Sequence, residues 1–169
     1  MSFKTNVISA ALFTAISSVS MVATAAPSAD VLLQGIITNT TCDVTANSGL
    51  ATLNVGVYKA SDFTPNTQLG SVTLPITLEN CADESGELLI QGTAAATNSQ
   101  LFVADAADTV GFMIQDSNNA QMAIDGTVAF SVTSAGPNEY SFNVGMGTTD
   151  AVPAAGSYQA PITIAYIVN

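Results

Sequence analysis

Residues 156–169 read GSYQAPITIAYIVN, and they decide the fold class. Tyr158, Ala160, Ile162, Ile164, Tyr166 and Val168 fall on every second position, which puts them in one row on one face of a β-strand. Pro161 lies in the opposite row, where its missing N–H is tolerated only near a strand end or an edge. A row this apolar, running to the last residue but one, requires a cover.

The same period of two recurs upstream. Leu53, Val55 and Val57 form one set, and Val72, Leu74, Ile76 and Leu78 another. Val110, Phe112 and Ile114, then Val128, Phe130 and Val132, then Tyr140, Phe142, Val144 and Met146 complete the series. Each alternates with polar or small residues, as expected of sheets packed on one face and wet on the other. Turn-forming clusters separate the sets: Asn47-Ser48-Gly49, Asp83-Glu84-Ser85-Gly86, Asp116-Ser117-Asn118-Asn119, Asp125-Gly126 and Gly136-Pro137-Asn138. Residues 58–70 and 94–108 carry weaker patterns and are expected to be longer connections. Many short strands with regularly spaced turns predict a one-domain, all-β sandwich.

The first residues have the organisation of an export signal. Lys4 supplies a positive start, Val7 to Val22 carry no charge, and Ala23-Thr24-Ala25 offers the small side chains that a signal peptidase reads. Cleavage after Ala25 is expected, so that residues 1–25 are a signal peptide. The alternative, a membrane anchor, fits poorly with a short segment rich in Ser, Thr and Ala.

Without those residues Lys59 is the only base against 13 acids, a side-chain charge of −12. Nucleic-acid binding needs a basic stripe, which is missing, and anionic lipid would repel the chain, so direct membrane insertion is not expected. The charge most simply keeps an exported protein soluble. Cys42 and Cys81 are the only two cysteines, and in an exported chain the pair reads as a disulfide. Such a bridge would close a loop of about 40 residues, worth roughly 4 kcal/mol in the chain-entropy model; the alternative is two buried thiols.

Catalytic chemistry finds few candidates. The chain has no His and no Arg, which removes His-based acid–base pairs, Cys–His nucleophiles and the usual zinc sites. The acidic groups Asp83, Glu84 and Glu87, and Asp105 with Asp108, could in principle form a carboxylate pair, but they are expected to be solvated acids in turns. Neither group has the spacing of a helix–loop–helix calcium site, and no metal or cofactor is expected. Tyr58, Phe63 and Phe102 could contact a ligand from exposed loops; core or interface positions suit them better.

The N-terminal end of the exported chain carries a further alternating row: Ala29, Val31, Leu33, Gly35 and Ile37. It stands ahead of Cys42 and so outside the region the cysteines enclose. Gly35 within an apolar row permits close approach of another backbone.

These features together resemble the type 1 family of fimbrial subunits (pilins) assembled by the bacterial chaperone–usher pathway. The stretches that carry the resemblance are the Gly35 strand leading to Cys42, LPITLENC at 74–81, VGFMIQD at 110–116 with AIDGT at 123–127, and the C-terminal strand opened by Gly156. The resemblance implies an incomplete immunoglobulin-like Greek-key sandwich that lacks its last strand and is completed by a donor strand. It implies residues 26–40 as the donor-strand extension and residues 41–169 as the pilin domain. Ala29, Val31, Leu33, Gly35 and Ile37 would be the donor row. Gly156, Ala160, Ile162, Ile164, Tyr166 and Val168 would form the acceptor groove and meet a periplasmic chaperone.

The implied partners are that chaperone, an outer-membrane usher and other pilin subunits in a head-to-tail polymer. The implied location is a cell-surface fimbrium reached through the periplasm, with a structural, non-enzymatic role that supports cell adhesion. One departure stands out: the family's usual penultimate Tyr is Val168 here, and the nearest Tyr is Tyr166 on the same face. A minor tip or adaptor subunit binding a host glycan or protein directly is the alternative function. The residues do not separate it from a major shaft subunit.

Overall fold

The computed structural model describes residues 40–168. Eight strands account for most of the order: β1 Asp43–Ala46, β2 Leu69–Glu79, β3 Glu84–Ala95, β4 Asn98–Val103, β5 Val110–Gln115, β6 Gly126–Val132, β7 Asn138–Thr148 and β8 Ile162–Ile167. Single 3-10 turns stand at Asn47–Gly49 and Ala60–Asp62. Among the described residues no helix is long and apolar enough to cross a membrane.

All pairings between the strands are antiparallel. The hydrogen-bonded order is β1-β2-β7-β5-β4-β3-β6, with β8 on the other side of β3. The long strand β3 turns the corner of the sandwich. Its first part pairs with β6 on one side (Leu88 opposite Val128) and β8 on the other (Leu88 opposite Tyr166). Its last residues pair with β4 (Ala94 opposite Phe102) and so join the second layer.

Alternation explains which residues fill the space between the layers. On β2, Leu74, Ile76 and Leu78 are buried, while Thr73 and Glu79 point to solvent. Phe142 and Val144 of β7, Ile114 of β5, Leu88 and Ile90 of β3, Val132 of β6 and Tyr166 of β8 meet them in one core. Phe130, Tyr140 and Phe142 add tilted ring contacts, with centroids 5.4 and 4.8 Å apart. A smaller cluster of Ala95, Leu101, Val103 and Met113 lies apart from it.

Cys42 and Cys81 are disulfide-bonded, tying the entry of β1 to the exit of β2. The same end is closed by hydrogen bonds from Thr40 Oγ1 to Glu84 Oε1 (2.5 Å) and from Ala82 N to Thr41 Oγ1 (2.6 Å).

Three sequence expectations need correction. Residues 94–108 are not merely a connection: β4 lies within them, with Leu101, Phe102 and Val103 all fully buried. An unbroken apolar triplet has no period of two to reveal it. Second, Asp83 to Gly86 is not all turn, since β3 begins at Glu84, and Glu84 and Glu87 are half-buried strand residues. Asp105 and Asp108 do sit in a turn, closed by Asp108 N donating to Asp105 O. Third, Leu53, Val55 and Val57 form no strand: residues 52–59 have no strand partner among the described residues. Their physical situation defines the site described next.

Candidate functional site: an open groove along β8

β8 pairs with β3 alone, so its second edge is unpaired among the described residues. Beside that edge runs a groove of about 1360 Å³. One wall is the stretch from Ala46 to Tyr58, the other runs from Pro153 to Ile164, and the floor is the inner face of the opposite layer. Leu74 of β2, Val110, Phe112 and Ile114 of β5, and Val144 and Met146 of β7 form that floor. Among the described residues no charged side chain lines the groove, although the chain carries 13 acids.

Local sequence accounts for the first wall. β1 follows β2 only as far as the pair Ala46–Ile76. Asn47, Ser48 and Gly49 then adopt positive φ (50°, 52° and 78°), a conformation that Asn and Gly tolerate best. Asn47 Nδ2 holds the turn by donating to the carbonyls of Leu50 and Thr52, both at 2.9 Å. The chain leaves β2 here and continues without pairing to any strand among the described residues, with Gly56 at a positive φ of 117°. Val55 is buried and Leu53 half-buried, while Val57 is 97% exposed.

The far end of this wall is pinned by Tyr58, whose hydroxyl donates to Val55 O at 2.9 Å. Its ring lies over Gly70 at the start of β2, where a β-carbon would overlap the hydroxyl, and meets Phe63 edge-on at 6.3 Å. Across the groove Tyr158 is folded back in the same manner, donating to Ala154 O at 2.7 Å.

Of the residues assigned to the acceptor row from sequence, Gly156, Ala160, Ile162 and Ile164 line the groove. Ile162 is still 36% exposed. Tyr166 and Val168 are placed differently: Tyr166 is 1% exposed within the core, and Val168 packs against the same core. Tyr166 donates to Phe130 O at 3.1 Å and lies 3.5 Å from Glu84 O. Burial, with a smaller contribution from the charge of Glu84, pushes its phenol above the ordinary range. At this end β1 touches β8 and the groove closes. The donor row Ala29, Val31, Leu33, Gly35 and Ile37 lies outside the described residues.

Sequence reasoning did not single out Phe112, Met146 and Tyr158 as groove residues. Tyr58 and Phe63, considered there as loop ligands, line it too, whereas Phe102 is fully buried core. The alternation of Leu53 and Val55 was the available signal for the first wall, read as an ordinary strand. Among the described residues no group of three or more His, Cys, Asp or Glu is placed to hold a metal ion. Asp83 is held below the usual carboxylate range by hydrogen bonds from the backbone and side chain of Ser134.

Three solved structures with a similar fold are described as pilus or fimbrial proteins. The crystal structure of the P pilus rod subunit PapA superposes with a TM-score of 0.59 at 14% identity, covering 83% of this chain and 99% of that one. A chain of a chaperone–usher pilus, from a study of rod uncoiling, gives 0.58 at 16% identity over 83% and 96%. An antigen and type I fimbria protein of Burkholderia pseudomallei gives 0.50 at 17% identity over 75% and 92%. No curated protein sequence matches the chain.

The fold, an all-β sandwich open along one strand, is that of a pilus subunit. Residues 31–168 match the family described as Fimbrial protein, and the chain belongs to that family.

Proposed function

We propose that this subunit polymerises by donor-strand exchange: its groove takes an extended strand from a neighbouring copy, and its own residues 26–40 fill the groove of the next. The observation that carries the reading is the groove, apolar and without charge among the described residues, beside the edge of β8 that none of those residues pairs. A sheet edge with exposed core beneath it invites pairing by strand addition, with backbone hydrogen bonds for affinity and alternate side chains in the hollows for register.

The row Ala29, Val31, Leu33, Gly35 and Ile37 has the required alternation. Full burial of Val31, Leu33 and Ile37 is worth roughly 1.5–3 kcal/mol each, and each backbone bond adds about 0.5–1.5 kcal/mol. A joint of that strength opens slowly, as a filament on a cell surface requires.

In this reading residues 1–25 direct export and are removed, and a periplasmic chaperone covers the groove until an outer-membrane usher brings the next subunit. Gly156, Ala160, Ile162 and Ile164 receive the incoming strand. Tyr166 and Val168 anchor the closed end. The assembled fimbrium supports adhesion as a scaffold.

Deleting residues 26–35 tests this. The truncated subunit should still bind its chaperone and still accept a strand, yet fail to join a preceding subunit. Normal polymerisation of the truncated form would refute the role given to this segment.

A further inference from the structure

Beyond the leader the chain has one lysine and no arginine. A serine protease with an acidic primary pocket, which cuts after basic residues, therefore has a single peptide bond available there, between Lys59 and Ala60. Lys59 is exposed, with extended backbone (φ −86°, ψ 142°), at the end of the unpaired stretch 52–59. Its neighbours Tyr58 and Ala60 both line the groove.

A protease must draw its substrate out as an extended strand, so a bond inside a sheet is protected by the cost of local opening. That cost is small here. Lys59 is already extended, Val57 and Lys59 are exposed, and among the described residues few bonds hold the stretch: Asn47 Nδ2 to Thr52 O, Gly56 N to Asn54 Oδ1, Tyr58 hydroxyl to Val55 O, and Asp62 N to Lys59 O. A strand laid in the groove would pair with this wall and hold it against the floor.

We infer that Lys59–Ala60 is a proteolytic site for a lysine-specific serine protease, open while the groove is empty and closed once a strand fills it. The inference rests on the donor-strand reading above. In the cleavage, the carbonyl carbon of Lys59 gains the oxygen of water and the C–N bond to Ala60 breaks. The nitrogen takes the proton, leaving a new carboxylate and a new amine. Cys42 and Cys81 fall on opposite sides of the cut, so their disulfide keeps the two pieces together until reduction. A nicked subunit would have lost the continuity of one groove wall. Proteolysis would thus inactivate unfilled subunits and spare assembled ones.

The test is limited trypsin digestion of the exported, disulfide-intact chain, alone and with a synthetic peptide of residues 26–39, read by mass after reduction. Peptide binding is measured separately by anisotropy on Lys59→Gln, which trypsin cannot cut there. A second variant, Lys59→Gln with Ala135→Lys, moves the single site to an exposed turn between β6 and β7. The expected result is one cut after Lys59, slowed about tenfold or more by bound peptide because cleavage follows the population of the open form, with the cut at position 135 unaffected. Equal rates at Lys59 with peptide bound overturn the inference and leave the donor-strand reading intact. Equal protection of both positions also overturns it, since the effect would then be global. No peptide binding to Lys59→Gln removes the inference and the reading beneath it together.

Discussion

Gly86 of β3 has no side chain at the place where the ring of Tyr166 of β8 crosses it. A β-carbon there would lie 2.9 Å from both the ring Cζ and the hydroxyl, and would overlap the carbonyl oxygen of Ile167. The missing side chain lets the tyrosine reach across β3 to Phe130 O on β6. One side chain thereby links β8, β3 and β6 at the closed end of the groove.

Gly86→Ala should therefore destabilise the subunit. Overpacking a filled site costs about 1–3 kcal/mol, and here the obstacle includes backbone. Tyr166→Phe keeps the ring and loses one hydrogen bond, for about 1 kcal/mol. Urea denaturation of both variants, compared with the parent, measures the two effects and their order.

Tyr166 should also report itself in an alkaline titration. Its phenol is raised above the usual value of about 10, so the folded state favours the protonated form. The corresponding stability is intact below the unfolded value and is lost as pH climbs through the folded one. Tyr166 should ionise above the ordinary phenol range, as followed by tyrosinate absorbance. Tyr166→Phe should remove that high-pH component.

Ile162 offers a test of the groove without damage to the fold. It is 36% exposed, so Ile162→Asp should leave stability nearly unchanged. An incoming strand would bury that carboxylate without a partner, and affinity for a peptide of residues 26–39 should fall by a factor of at least about ten. Thr163→Asp, at the next position and outside the groove lining, should bind far more nearly as the parent does. Calorimetry or anisotropy separates the two.

The disulfide should be a major share of the total stability. Replacing Cys42 and Cys81 together by Ser opens a loop with a separation of 39 residues, for which the chain-entropy model gives roughly 4 kcal/mol. The double variant should show a fall of that order in unfolding free energy, and the same loss should appear in the parent protein after reduction.

Much of the architecture was legible because burial in a sandwich leaves a period of two. Leu74, Ile76 and Leu78, or Phe142 and Val144, can hide from water only in every second position of a half-wet sheet, and so they announce β2 and β7 directly. β4 left no such trace, because Leu101, Phe102 and Val103 are covered on both faces. β3 was obscured by turn-forming residues at its start, where Ser85 and Gly86 serve pairing with β6 and passage of the Tyr166 ring.

The candidate site was half legible. The C-terminal row pointed to one wall through Ala160, Ile162 and Ile164. The same alternation continued without a break to Tyr166, which is buried in the core, and Val168, half-buried against it and outside the groove lining, since a row on one strand face does not say where the cover stops. Leu53 and Val55 had the pattern of a strand, but pairing is a property of neighbours in space, and the stretch that holds them has none among the described residues.

By itself, then, the order of residues determined strand character, the cysteine pair, the acid excess and the two apolar terminal rows, all of which depend on local spacing and composition. Only the tertiary structure decided that, among the described residues, β8 has one paired and one bare edge and residues 52–59 join no strand, and that the space between them is floored by β2, β5 and β7. Those facts arise from segments far apart in the chain, because a gap in a sheet exists only once every other strand has taken its place.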